Sequence, residues 1–403
     1  MKKKILFIGH DANRAGAQLV LLQLLRLLKQ RNIPTQLVLG GGGPLEAEFQ
    51  EVTTVTRMPM APDNRLARYA RHIPGLHRLA GPVLRREEAA RWQAFESAVG
   101  APEVELVVVN TVACAVYYRQ LARFVNAPVI LFAHELALSI RMYSQPDDLR
   151  FLLDRSRALI AVSKAVANHY VSVYGYDPAR IQLQTLIDRP HFEQLRDEAR
   201  SLPSIRPNLG IPADAIVVGA CGNAEWRKGN DLFTSLARLV VDKLPDYPIH
   251  FVWVGVPRTN PWYDDLWMDV EKAGLTDRVH FVEPTPEVFR YTTQFDIFAL
   301  TSREDPYPLV MLEAALCRVP VVCFDGAGGG PELVEEDGGR VVPYLHLDAM
   351  AEAVAELAQN PAQREQAGRR LFEKVAERHP TSQNIEQLVA LFQQAQTTQT
   401  ALS

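Results

Sequence analysis

Short, uninterrupted apolar runs recur along this chain of 403 residues, each followed by a turn and then by a helical pattern. Residues 4–9 (KILFIG) open the series, and 35–39, 106–109, 128–132 and 158–162 continue it. A strand that is apolar at every position must be covered on both faces. Parallel sheets whose crossovers are helices meet that requirement. The series stops across 188–212, where Pro190, Pro203, Pro207 and Pro212 fall among mixed charges without sustained periodicity, the marks of a connection. It restarts at 216–220, 250–255, 279–282, 295–300 and 319–324. The pattern predicts an α/β protein of two doubly wound domains with a cleft between them. We expect these at 1–195 and 205–378, with a terminal helix in 381–403 packing back on the first. In such sheets ligands bind beyond the carboxyl ends of the strands.

Composition narrows the function classes. With 47% apolar and 22% charged residues the chain is neither disordered nor fibrous. A net charge of −4 makes the molecule as a whole no polyanion binder, so no nucleic-acid partner is expected. The longest uncharged stretch near the core strands, 106–118, is shorter than the roughly 18 residues of a membrane span. The apolar run after Lys2-Lys3-Lys4 is too short for a secretory signal, and a cytoplasmic location is expected. Cys114, Cys221, Cys317 and Cys323 lack zinc or disulfide spacing and read as small buried apolar residues. One region departs from the acidic balance. Residues 65–91 carry Arg65, Arg68, Arg71, Arg78, Arg85, Arg86 and Arg91 against Glu87 and Glu88. The plain reading is a pair of solvated surface helices. The functional one is a face for anionic lipid headgroups, at about 1 kcal/mol per basic group.

Four loops at strand ends carry chemistry. Residues 9–17 lead from the first strand into the first helix, where backbone N–H groups and the helix dipole favour an anion and Gly16 permits close approach. The spacing is not G-x-G-x-x-G, which argues against a dinucleotide cofactor. The run 40–43 of four glycines reads as a plain connection. His134 follows the strand at 128–132 and so points to the ligand edge. Residues 220–229 place Arg227 and Lys228 among small residues after a strand, where a diphosphate could be held. In 302–315, Asp305 and Glu313 lie eight residues apart, about 12 Å at 1.5 Å rise per residue. That suits two carboxylates gripping different parts of one elongated ligand, and the first N–H groups of the helix, at Leu309 and Val310, complement phosphate.

These motifs resemble the retaining GT-B glycosyltransferases of family four, the group 1 glycosyl transferases. The resemblance runs through the Gly16 loop, His134-Glu135, Val162-Ser163, Ile187-Asp188, 227–233, the stretch 296–313 and Gly328-Gly329-Gly330-Pro331-Glu332. It implies a GT-B architecture, two Rossmann-like domains facing across a cleft. It also implies metal-independent transfer of a hexose-type sugar, with retention, from a UDP- or GDP-sugar to a saccharide or lipid-linked acceptor. The setting it implies is cell-surface polysaccharide or glycoconjugate synthesis, with no cofactor beyond the donor substrate. By position, Gly16 and Ala17 would approach the donor diphosphate and His134 would sit by the transferred sugar. Asn223, Arg227 and Lys228 would line the phosphates, Asp305 would hold a sugar hydroxyl, Glu313 the ribose, and Val282 with Glu283 would border the base. The chain departs from the family pattern at three places. Glu304 precedes Asp305, so either carboxylate could be the working acid. Asn223 stands where the family often has Arg, and Pro308 replaces a common Gly and removes an N–H donor. A nucleotide-sugar epimerase of the same architecture, or a silent sugar-nucleotide-binding module, are the alternatives.

Overall fold

The computed structural model describes residues 3–59 and 76–397, with the backbone alone for 76–85. Seven described strands form the first sheet: β1 (Lys4–Gly9), β2 (Thr35–Leu39), β3 (Thr54–Arg57), β4 (Val104–Asn110), β5 (Val129–Ala133), β6 (Ser156–Ala161) and β7 (Ile181–Leu183). Their spatial order is β3-β2-β1-β4-β5-β6-β7, and every pairing is parallel. The order reverses between β1 and β4, which makes that edge the switch point where ligands gather in doubly wound sheets. The helix Gly16–Gln30 covers the sheet with Val20, Leu21, Leu24, Leu25 and Leu28, all buried.

Six strands form the second sheet: β8 (Ile216–Cys221), β9 (Ile249–Val254), β10 (Val279–Val282), β11 (Ile297–Leu300), β12 (Val321–Phe324) and β13 (Gly339–Val342). They are ordered β10-β9-β8-β11-β12-β13, again all parallel, with the reversal between β8 and β11. Its core joins Phe233, Leu236 and Val240 of the helix Asn230–Lys243 to Phe251 and Trp253 of β9 and to Val354 and Leu357 of the helix Leu347–Gln359. Both sheets have the Rossmann-like, doubly wound form expected for a GT-B protein.

Packing divides the chain at other points than the sequence-drawn limits of 195 and 205. Among the described residues, the first unit comprises those up to 161, 175–184 and those from 385 on, and the second comprises 162–174 and 185–384. The stretch read as a connection contains the helix Arg189–Ser201, which packs within the second unit. There Phe192 meets Phe289 edge to face at 5.7 Å, and Arg196 NH1 donates to Leu316 O at 3.1 Å. The terminal helix Thr381–Thr397 passes from the second unit to the first at 384/385. In the first unit Phe392 packs edge to face on Phe7 of β1.

The run Gly40–Gly43, expected to be a plain connection, is a packed one. A Cβ on Gly40 would overlap the Tyr117 ring, and one on Gly42 would press on the Arg57 guanidinium. Backbone bonds from Ala12 N to Gly42 O (3.1 Å) and Leu45 N to Ala12 O (2.8 Å) stitch this loop to the one after β1. The four cysteines are buried and free. Arg65, Arg68 and Arg71 lie outside the described residues, as do the side chains of Arg78 and Arg85. Arg86 and Arg91 stand on the helix Leu76–Val99. No helix among the described residues is long and apolar enough to cross a membrane.

Candidate functional site

The second unit assembles its charged groups at the carboxyl ends of β8 and β11. After β8 the chain makes one 3-10 turn, Trp226–Lys228, and enters its helix through Gly229 at φ +74°. A Cβ at Gly229 would strike the Thr301 carbonyl, so only glycine lets the loop lie this close to β11. The closeness brings Lys228 Nζ to 2.6 Å from Asp305 Oδ2 and Arg227 NH1 to 3.6 Å from Asp305 Oδ1. Ser302 Oγ donates to the same carboxylate at 3.1 Å. Asp305 is 6% exposed. Burial pushes its carboxyl up, but Lys228, Arg227 and these hydrogen bonds outweigh burial and hold it below the usual carboxylate range. Arg227 also donates to Glu304 O at 2.8 Å and to Glu225 Oε1 at 2.7 Å. Of the two adjacent acids, Asp305 therefore faces the lysine, while Glu304 turns its carbonyl to Arg227.

The loops are tied together by Arg303. Its guanidinium grips Asp231 at 2.9 and 2.7 Å, donates to Trp226 O at 2.8 Å and lies over the Trp226 ring at 4.6 Å. Asn223, by contrast, is exposed. Glu313 lies in the middle of the helix Leu309–Leu316, with Oε2 buried and unbonded. Burial alone pushes its carboxyl up to about 7. Leu309 and Val310 open that helix behind Pro308, whose extended backbone (ψ 125°) sets the helix start. The Val282 carbonyl accepts from Gly255 N at 2.9 Å and Val256 N at 3.0 Å, and Glu283 Oε1 from Arg258 N at 3.0 Å, so both border the loop after β9.

The first unit gathers a second cluster at its own switch point. Gln18, 3% exposed, donates from Nε2 to Asp11 Oδ1 at 2.6 Å and lies 2.9 Å from His10 Nε2. Thr111, at the end of β4, has φ +86°, a strained value for a β-branched residue. Its hydroxyl lies 3.4 Å from His10 Nδ1. His134, after β5, sets its ring Nε2 at 3.0 Å from Asn110 Oδ1. The buried Glu135 carboxylate accepts from His134 N at 3.0 Å and Val112 N at 3.4 Å, and burial pushes it up to about 7. Gly16, the first residue of its helix, has open space where a Cβ would stand, and Ala17 follows it.

Sequence reasoning singled out Lys228, Arg227 and Asp305, which the fold brings together, and His134, which it surrounds with partners. It missed Gln18, Asn110, Thr111 and the Arg303–Asp231 clamp. Asn110 carried a usable signal, a polar residue ending an otherwise apolar strand.

Comparison with known proteins adds the family. Residues 215–360 match the family described as Glycosyl transferases group 1, and residues 14–183 match Glycosyltransferase Family 4. Together the two matches support a glycosyltransferase of the group 1 type. Among group 1 relatives, the D-inositol 3-phosphate glycosyltransferase of Corynebacterium urealyticum is 26% identical over 195 residues, 47% of this chain and 46% of that protein. The lipopolysaccharide core biosynthesis mannosyltransferase LpsB of Rhizobium meliloti is 30% identical over 217 residues, 51% of this chain and 56% of its own. The chain thus spans about half the length of these curated relatives. Among solved structures, Anabaena HepE in complex with UDP superposes with a TM-score of 0.76 at 19% identity, covering 97% of this chain and 100% of that one. Sucrose-phosphate synthase of Thermosynechococcus elongatus does so with 0.71 at 19%, covering 98% and 99%. Both share the GT-B fold.

Proposed function

We propose that this protein is a retaining, metal-independent glycosyltransferase that moves a hexose-type sugar from a UDP- or GDP-sugar to a saccharide or lipid-linked acceptor, in polysaccharide or glycoconjugate synthesis. The observation that carries the reading is the pair Lys228 and Arg227 converging on Asp305 at the switch point of the second sheet. In the free protein these cations are occupied by Asp305 and Glu225. A donor diphosphate offers them stronger anionic partners, and as the anomeric bond breaks they stabilise the charge growing on the leaving phosphate. Preorganised cations do this work where other enzymes use a metal. The acceptor hydroxyl attacks on the face the diphosphate leaves, with the leaving phosphate as base. Asp305, freed in part from Lys228, holds a sugar hydroxyl, and Glu313 with its unbonded oxygen takes the ribose. HepE has been solved in complex with UDP-glucose, which supports a nucleotide-sugar donor for its structural kin. The relative LpsB is a mannosyltransferase, which keeps GDP-mannose among the candidates.

A thermal-shift panel that includes UDP-glucose and GDP-mannose tests the donor, since a ligand at 100 times its dissociation constant adds about 2.7 kcal/mol of apparent stability. With the donor in hand, NMR of the product reads retention at the anomeric carbon. Transfer is expected to persist in EDTA. Activity lost to the chelator and restored by Mg²⁺ or Mn²⁺ would sink the metal-independent reading.

A further inference from the structure

Asn110 is buried to 1% exposure at the carboxyl end of β4, the strand beside the switch point. Its side chain bridges two parts of the first unit's cluster. Nδ2 donates to Ala17 O, in the first turn of the first helix, at 3.2 Å. Oδ1 lies 3.0 Å from His134 Nε2. Its backbone carbonyl accepts from Cys114 Sγ at 3.1 Å, which holds the residue from the other side. The Ala17 carbonyl can only accept, so it must face the amide NH2, and the amide oxygen is then turned to the imidazole. An amide oxygen also only accepts, so Nε2 must carry the ring proton. A neutral imidazole has one N–H, which leaves Nδ1 as a bare lone pair.

The rest of His134 is held equally firmly. Its backbone N–H is bound by Glu135, and its ring lies on Phe132 at 4.4 Å and 32°. The titratable groups around it are His10 after β1, Asp11 next to it, Cys114 after β4 and its neighbour Glu135. Burial, then His10, push the His134 pKa down to about 3, so the ring stays neutral throughout the physiological range. Nδ1 has no partner among the described residues.

We propose that Asn110 is a positioning residue that selects the Nε2–H tautomer of His134, so that the imidazole meets its ligand as a hydrogen-bond acceptor. Nδ1 then receives a hydrogen bond from a sugar hydroxyl and delivers no proton. This rests on the reading of His134 as a sugar-side residue. It makes the histidine a selector of hydroxyl donors and assigns it no part as general acid.

NMR of protein labelled with ¹⁵N-histidine reads the tautomer directly and needs neither substrate nor variant. In the wild type, His134 is expected to show a protonated Nε2 and a bare Nδ1 at both pH 6 and pH 8. In Asn110→Leu the selection is lost, and the ring signals shift toward a mixture of tautomers. A wild-type ring protonated at Nδ1, or Asn110→Leu signals identical to wild type, overturns the proposal. Turnover is the second readout, with whichever of UDP-glucose or GDP-mannose the protein binds. Asn110→Leu is expected to lower it on the order of 100-fold, the cost of displacing a contact by about 1 Å. Affinity for the corresponding nucleoside diphosphate, which lacks the sugar, should fall by much less than turnover, since Asn110 reaches that part of the site only through its bond to Ala17 O. If the tautomer is as expected but His134→Ala turns over at the wild-type rate, the sugar-side reading falls and the tautomer assignment stands.

Discussion

Asp305 and Glu313 are two carboxylates of one loop and helix with opposite electrostatics. Asp305 is buried against Lys228 and Arg227 and kept ionised, whereas Glu313 is half-buried, with one oxygen buried and unbonded and no cation beside it. Lys228→Ala should weaken binding of the nucleoside diphosphate by roughly 1.5–3 kcal/mol, the worth of a charge-assisted bond, about 10- to 100-fold by calorimetric titration. Unchanged affinity would remove the phosphate role. Glu313 gives a prediction of the other sign. Its folded pKa of about 7 lies above the unfolded value near 4.5, so the folded state binds the extra proton between them. Stability from this group is full below pH 4.5, drains away as pH rises to 7 and stays low above it, a loss on the order of 2–3 kcal/mol. Glu313→Gln should therefore raise the unfolding temperature at pH 8 and leave it nearly unchanged at pH 4.5, while weakening nucleotide binding. A variant with no gain at pH 8 would show that Glu313 is not the source of this pH dependence.

The glycine run after β2 shows what an element can hide. Read as sequence, Gly40-Gly41-Gly42-Gly43 suggests freedom. In the fold the Tyr117 ring and the Ala12 carbonyl stand where a Cβ on Gly40 or Gly43 would go, and the Arg57 guanidinium and Asp11 side chain crowd the same space at Gly42 and Gly41. Smallness, not mobility, is what the positions require. Gly40→Ala should destabilise the protein by about 1–3 kcal/mol through overpacking against Tyr117, seen as a lower urea midpoint. Adding Tyr117→Leu should recover part of the loss, because it trims the ring that the new methyl meets. No recovery in the double variant would place the strain elsewhere. The same limit applies to strands. Those buried on both faces were legible because they are apolar throughout, while β3, β7 and β13 were not. β3 and β7 are edge strands with half-buried or exposed residues and β7 has only three of them, and β13 begins with Gly339 and Arg340.

For the molecule as a whole, the sequence revealed both sheets and the loops that carry Lys228 and Asp305, since strand ends and short motifs are local signals. Pairings such as Asn110 with His134, or Arg303 with Asp231, join residues 24 and 72 positions apart and exist only once the sheets are formed. The charge distribution also acts at this scale. A protein of net charge −4 concentrates seven arginines and two glutamates in 65–91. We propose that this segment binds anionic membranes, which would suit a lipid-linked acceptor. Wild type should float with anionic but not neutral vesicles at low salt and be released at 1 M, where the screening length is about 3 Å. Arg85→Glu with Arg86→Glu should reduce flotation. Equal recovery with both lipids, or with neither, would favour a soluble acceptor.

The helix Thr381–Thr397, whose residues belong partly to each unit, has a consequence for synthesis on the ribosome. Ile385, Leu388, Phe392 and Ala395 are buried in the first unit, Phe392 against Phe7 of β1. Domains usually fold in the order they emerge. Here the first unit has an unfilled space beside Phe7 until residue 392 has left the exit tunnel, by which time every strand of the second sheet is already outside. The unit begun first is thus completed last, and a nascent chain arrested before 385 should keep that apolar face open to chaperones.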